Sequence, residues 1–294
     1  MEQYNPENKE TREVITSRID LQFFRHAEKE SIKGRPDEEL RLTDLGKRQA
    51  VEKSESIDIS QSVAFGSSTK RTQHTAGFVM GGKLDGIIGD ENFEELSKKL
   101  NFGIGFGSKV GTDERLNFSG SFSTEFGKNA LESHKKGEYL KFLIERSDHL
   151  AELLHDLDAE TYSRMAERVA QIVNKYLTIA PRFDELVKDK GNGYGDTLKR
   201  FLCTHLGIAE SFLAKIIEKT KGNGERDRFV SVLNNQGFDF TEGFDVNIET
   251  MNGDSQQIHI SFNKIKDGET IFEYNEVVPK RIIDILIHPG LEKE

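Results

Sequence analysis

The 294-residue chain has one cysteine, Cys203, and no tryptophan. A lone cysteine excludes an intramolecular disulfide and fits a reducing compartment. No apolar run approaches the length needed to span a bilayer. The first 18 residues are polar and include Glu2, Glu7, Glu10 and Glu13, which argues against a secretory signal. These absences lead to the expectation of a cytoplasmic protein. Basic runs interleaved with aromatics are also missing, and the net charge is −10, so neither nucleic acid nor an anionic membrane surface is the expected partner. No repeat recurs at a fixed period.

Apolar residues make up only 35% of the chain, but 20 phenylalanines supply large side chains for a core in place of tryptophan. The length suits one large α/β domain or two small ones. Three segments share a strand–turn–helix pattern. The run Ile19-Asp20-Leu21-Gln22-Phe23-Phe24 stops at Arg25-His26-Ala27-Glu28-Lys29. Ser62-Val63-Ala64-Phe65 leads into Ser67-Ser68-Thr69-Lys70-Arg71-Thr72-Gln73-His74-Thr75-Ala76. Phe201-Leu202-Cys203-Thr204-His205-Leu206-Gly207 opens an apolar helical pattern from Ile208 to Ile217. In an α/β sheet such turns gather outside the carboxyl ends of the strands. Arg25, His26, Arg71 and His205 are thereby expected in one pocket, where two guanidinium forks and two imidazoles suit an anion. Taken singly, each is an ordinary surface charge or a packed histidine; the weight lies in the set.

Arg25-His26-Ala27-Glu28-Lys29, followed by Leu42-Thr43-Asp44-Leu45-Gly46-Lys47-Arg48-Gln49-Ala50, resembles the opening signature of the histidine phosphatase superfamily, the phosphoglycerate-mutase-like enzymes of the branch 1 type. Ser67 to Ala76 is similar to that family's second arginine motif, and Thr204-His205-Leu206-Gly207 to its second histidine motif. The resemblance spans roughly residues 15–220, with a poorly matched stretch at about 80–150. It implies a metal-independent and cofactor-independent phosphatase acting on a small phosphorylated substrate. His26 is the implied nucleophile, forming a phosphohistidine that water hydrolyses. Arg25 and Arg71 are implied to hold the equatorial phosphoryl oxygens. His205 is implied to donate a hydrogen bond and, if protonated, a positive charge, with an amide of the following helix start as a further donor.

One part of that family pattern is missing. A leaving alkoxide needs a proton, usually supplied by a glutamate in an Arg-Leu-x-Glu context. Here Arg115-Leu116-Asn117 is followed by Phe118. Glu114, Glu125 or another carboxylate of the divergent region is the alternative acid, or there is none, which would suit a good leaving group. A mutase and a non-catalytic phosphate-binding or scaffold protein are the competing readings.

Other motifs fail. Gly77 to Lys83 has phosphate-loop spacing, but Leu84 replaces the Ser or Thr that would hold magnesium, and no strand precedes it. Cys203 lacks the arginine six residues on that a cysteine phosphatase needs and reads as a small buried strand residue. His149 and His155, six apart, share no helix face for a metal. His74 is assigned a structural role.

The expected fold is a three-layer α/β/α sandwich over a mostly parallel sheet, with antiparallel additions at the C-terminal end. Residues 1–14 are expected to be a flexible arm, and 15–294 one domain with a divergent insert at about 80–150. Thr43 is an N-cap for a helix from Asp44 to about Ser54. The loop Lys33-Gly34-Arg35-Pro36-Asp37 is expected beside the pocket. Helical patterns cover about 129–155 and 159–177. The glycine-rich stretch from Asn101 to Gly111 is expected to be an inserted loop or hairpin. Beyond about 225, alternating runs around Phe244 and Ile258, with Asp267-Gly268 as a turn, predict antiparallel strands, followed by a helix or strand at Pro279 to Ile287.

Overall fold

The computed structural model describes residues 14–54, 62–81, 96–98, 100, 108–189, 191, 193–251 and 255–293. The expected N-terminal arm lies almost entirely outside the described residues, as do Lys83, Leu84 and most of the glycine-rich stretch. Seven strands form one sheet in the order β3-β2-β4-β1-β5-β6-β7. They are β1 (Ile15–Arg25), β2 (Ser62–Gly66), β3 (Val110–Thr112), β4 (Thr197–Thr204), β5 (Gly243–Met251), β6 (Gln256–Lys266) and β7 (Glu269–Val277). β3, β2, β4 and β1 are parallel; β5, β6 and β7 continue the sheet antiparallel from β1. This is the expected α/β class, and the parallel half contains the three motif strands.

On one face, α1 (Asp44–Ser54) and α2 (Lys70–Gly81) enclose a core with Phe24, Ala64, Phe201 and Cys203. On the other, Ile19, Leu21 and Phe23 of β1 pack among α5 (Tyr162–Lys188), α6 (Ile208–Lys221), α7 (Asn223–Val232) and α8 (Lys280–Ile287). The alternation of β1 residues between the two cores follows from the two-residue pleat. Thr43 caps α1 as expected, its hydroxyl accepting from the Gly46 amide at 3.0 Å. Gly46 itself lies so close to the backbone of Glu28 that no Cβ fits. Asp267 and Gly268 both take positive φ (53° and 82°) and join β6 to β7, the mirror-image turn that matches strand twist. The segment after Pro279 is helical.

Several expectations are revised. The 129–155 pattern is two elements: α3 (Glu125–Lys135), and α4, in which Tyr139–Phe142 runs through a π-helical turn at Leu143–Ser147 into Asp148–Leu153. Gly137, at φ 77°, makes the break between them. The 159–177 helix continues to Lys188 through Pro181. Proline removes the amide that would bond the carbonyl of Leu177, and Gln256 Nε2 donates to that carbonyl instead, at 3.1 Å. The end of the glycine-rich stretch is no hairpin. Val110–Thr112 is the parallel edge strand β3, where Gly111 sits under the Phe65 ring. Among the described residues, no helix is long and apolar enough to cross a membrane.

Candidate active site

Strand register brings the motif residues together. β1 pairs β4 residue for residue, from Arg18 with Thr197 to Arg25 with Thr204. The next residue on each strand is a histidine, and the His26 amide extends the ladder to the Thr204 carbonyl at 2.9 Å. The two imidazoles therefore meet edge to face, with ring centroids 5.6 Å apart. β2 lies on the far side of β4, so its end delivers Ser67 to His205 and starts α2, whose first turn carries Arg71. His26, Arg71 and His205 are only 6%, 5% and 4% exposed.

The hydrogen bonds assign the tautomers. His26 Nδ1 lies 2.7 Å from the carbonyl oxygen of Ala27. A carbonyl only accepts, so Nδ1 carries the hydrogen and Nε2 keeps its lone pair. Burial lowers the His26 pKa to about 3; the Ala27 bond opposes this, while Arg71, Arg25 and Lys29 reinforce it. The ring is thus neutral at ordinary pH, the form a nucleophile needs. His205 has the opposite tautomer. Arg71 Nη2 donates to its Nδ1 at 3.1 Å, which leaves the hydrogen on Nε2, 2.9 Å from Ser67 Oγ. Burial, then Arg71 and His26, hold its pKa well below the ordinary value. A positive charge on His205 is therefore not available in this arrangement. The adjacent Gly207 amide is engaged too, donating to Glu210 Oε2 at 2.9 Å.

The arginines are fixed from different sides. Arg25 Nη1 donates to the Phe238 carbonyl at 2.6 Å, and its guanidinium carbon lies 4.5 Å from the centroid of the Phe240 ring. Arg71 Nη1 donates to the Asp37 carbonyl at 2.7 Å and pairs with the Asp37 carboxylate at 2.8 Å. The Nε–H groups of Arg25 and Arg71 are buried and have no hydrogen-bond partner among the described residues. Buried unpaired donors are rare, and two of them beside a neutral imidazole make a site suited to an oxyanion.

Glu210 braces the pocket floor. Its carboxylate accepts from the Gly207 and Phe238 amides, tying the His205 turn to the segment that holds Arg25. Burial pushes its pKa up to about 7, against those amides and Arg25. Gly207, at φ 95°, faces Leu143 and Tyr139 with no room for a Cβ, so the turn requires glycine.

Neither named carboxylate has a bond to the histidines. Glu114 accepts from Asn117 Nδ2, and Asn117 Oδ1 in turn accepts from the amide and hydroxyl of Ser68 on the rim. Glu125 sits exposed in the first turn of α3, with Lys128 3.9 Å away. Phe118 stacks on Phe122, with centroids 5.9 Å apart, and both line a cavity of about 690 Å³ with Tyr139, Glu160, Arg164 and Arg168. His74 is buried on α2 and Cys203 is buried in β4. Ser67 opens the second arginine motif and Asp37 ends the charged loop expected beside the pocket, but neither is a site candidate from sequence, and Phe240 and Glu210 are not singled out there.

No protein-family model matches the sequence, and no curated protein sequence matches it. Among solved structures, a mycobacterial glucosyl-3-phosphoglycerate phosphatase is 15% identical, with 89% of this chain and 98% of that one covered at a TM-score of 0.41. A phosphoserine phosphatase variant from Entamoeba histolytica in complex with phosphoserine is 13% identical, with 90% and 98% covered at a TM-score of 0.37.

Proposed function

We propose that the protein is a phosphatase of the histidine phosphatase type, which moves the phosphoryl group of a phosphomonoester to His26 and then to water. The observation that carries this reading is a neutral imidazole with Nε2 free of the Ala27 bond, beside two guanidinium groups whose Nε–H donors are buried and have no partner among the described residues. In the first step Nε2 attacks phosphorus in line, the P–N bond forms and the P–O bond to the leaving group breaks. In the second, water attacks phosphorus, the P–N bond breaks and inorganic phosphate leaves. Arg25 and Arg71 neutralise the equatorial oxygens, and positioning with electrostatics accounts for most of the rate. His205 acts as a neutral hydrogen-bonding partner of Arg71. Glu114 and Glu125 are engaged by Asn117 and Lys128 and not by the histidines, which favours substrates whose leaving group departs without protonation, such as an aryl phosphate or an acyl phosphate.

The test is hydrolysis of 4-nitrophenyl phosphate in the presence of a chelator. His26→Ala is expected to lower kcat by about 10³-fold or more, and the wild-type protein is expected to trap an acid-labile phosphoryl group. Full activity in His26→Ala would sink the assignment. Turnover of the aryl ester with none of an alkyl phosphate would support the leaving-group preference.

A further inference from the structure

The carboxylate of Asp37 bridges two cations. One oxygen pairs with Lys29 Nζ and the other with Arg71 Nη1 at 2.8 Å. Arg71 is the same guanidinium that bonds His205 through Nη2, so this carboxylate, with the Asp37 carbonyl, engages the Nη1 donor of a guanidinium of the candidate phosphoryl pocket. Lys29 ends the first motif, three residues after His26, and its charge acts on both His26 and His205. Burial raises the Asp37 pKa, but Lys29 and Arg71 outweigh it and hold the carboxyl below its ordinary range. It is therefore an anion at any pH where the enzyme would work.

Asp37 rides on a flap with a pinned base. Lys29 bridges Leu42, the Glu30 amide donates to the Arg41 carbonyl at 2.8 Å, and the Thr43 amide to the Glu28 carbonyl at 3.1 Å. Between these ties, residues 31–39 are exposed. The flap turns at Gly34, whose φ is 84°, and presents Asp37 on a single 3₁₀ turn, Asp37–Glu39. Lys70 pairs with Glu39 and fastens the same turn to α2. Asp37 keeps 52% of its side chain exposed, so its ion pairs are screened and weak. A phosphoryl dianion carries twice the charge and two oxygens to present to the same donors.

We infer that Lys29 is a third phosphoryl-binding cation and that Asp37 is an internal competitor, a carboxylate that holds Lys29 and Arg71 until a phosphoryl group displaces it. This rests on the phosphatase reading for its biological use, but it is a statement about anion binding and is tested without turnover. On displacement the flap moves away from Arg71, and Lys29 and Arg71 turn their donors from the carboxylate to the phosphoryl oxygens.

The test is equilibrium binding of inorganic phosphate by calorimetry. Asp37→Asn keeps the shape and removes the charge, and is expected to tighten phosphate binding about 5- to 10-fold. Lys29→Met is expected to weaken it by a similar factor, in the wild-type and in the Asp37→Asn background. The second background separates direct contact from mere tethering of Asp37. Glu39→Gln loosens the same turn without touching Arg71 and is expected to shift affinity less than about 2-fold. Unchanged or weaker binding in Asp37→Asn would overturn the competitor role, as would an equal tightening in Glu39→Gln. No effect of Lys29→Met in the Asp37→Asn background would overturn the third cation. These shifts with no turnover on 4-nitrophenyl phosphate would remove the catalytic reading and leave this one standing; turnover without the shifts would do the reverse.

Discussion

β3, β2, β4 and β1 run parallel, so their carboxyl ends all reach the same edge of the sheet, and Arg25, His26, Arg71 and His205 leave from three of those ends. β5, β6 and β7 alternate in direction and pack Phe244, Phe262 and Phe272 against Phe229 and Phe238, with the Phe238–Phe262 centroids 5.3 Å apart and Phe229–Phe262 5.5 Å apart. Among the described residues of this half, the turn ahead of β5 is what reaches the site. The Phe238 carbonyl binds the Arg25 side chain, the Glu242 carbonyl binds the Arg25 amide at 2.9 Å, and the Phe240 ring lies on the guanidinium. Convergence of reactive groups comes free with parallel register, whereas the antiparallel strands give an aromatic buttress and a turn that braces Arg25. Chemistry and stability should therefore respond to different substitutions.

The largest expected effect is on stability alone. Phe262→Ala removes a buried ring from the buttress and is expected to cost about 3–5 kcal/mol in urea denaturation. Its kcat/KM on an aryl phosphate, measured where the variant is folded, should stay within about 3-fold. A collapse of activity in the folded variant would erase the division between the halves. Next in size is a pH effect located in the parallel half. His26, His74 and His205 are all buried there, and burial, followed by Arg41, Lys70 and Lys47, lowers the His74 pKa to about 3. The folded value lies below the unfolded one, so the unfolded chain takes up the proton first. The stabilisation is present above about pH 6.5 and is lost as pH falls towards 3. For His74 the linkage between pH 7 and pH 5 amounts to about 2 kcal/mol. His74→Gln should flatten the fall in stability over that interval, and an equally steep fall would contradict the assignment. The smallest effect sharpens the contact of the Phe240 ring with the site. Phe240→Ala should lower kcat/KM about 10-fold through loss of the ring on Arg25, with stability changed by less than about 1 kcal/mol. No kinetic change would make the turn a bystander.

Much of this was legible from residue pattern. The three strand–turn–helix segments, the Thr43 cap, the Asp267-Gly268 turn and the alternating C-terminal runs are local signals, set by pleat, capping and turn geometry within a few residues. The helix break at Gly137 and the run through Pro181 were less accessible, because the second depends on Gln256 from another part of the chain. Phe240 had no local signature and reaches Arg25 from a distant turn, whereas Glu210 lies three residues after Gly207 at the start of the same helix, a local capping position.

By itself the sequence determined which side chains stand at the ends of β1, β2 and β4, since hydrophobic period and turn chemistry are read locally. Only the tertiary structure decided their chemical state. His26 is an Nδ1–H tautomer because the Ala27 carbonyl lies against it, His205 is neutral because it is buried and Arg71 points a donor at it, and Arg71 is held by Asp37 because the flap reaches back to it. Proton positions and ion pairs depend on which groups approach within about 3 Å, and that distance is set by packing between elements far apart in the chain.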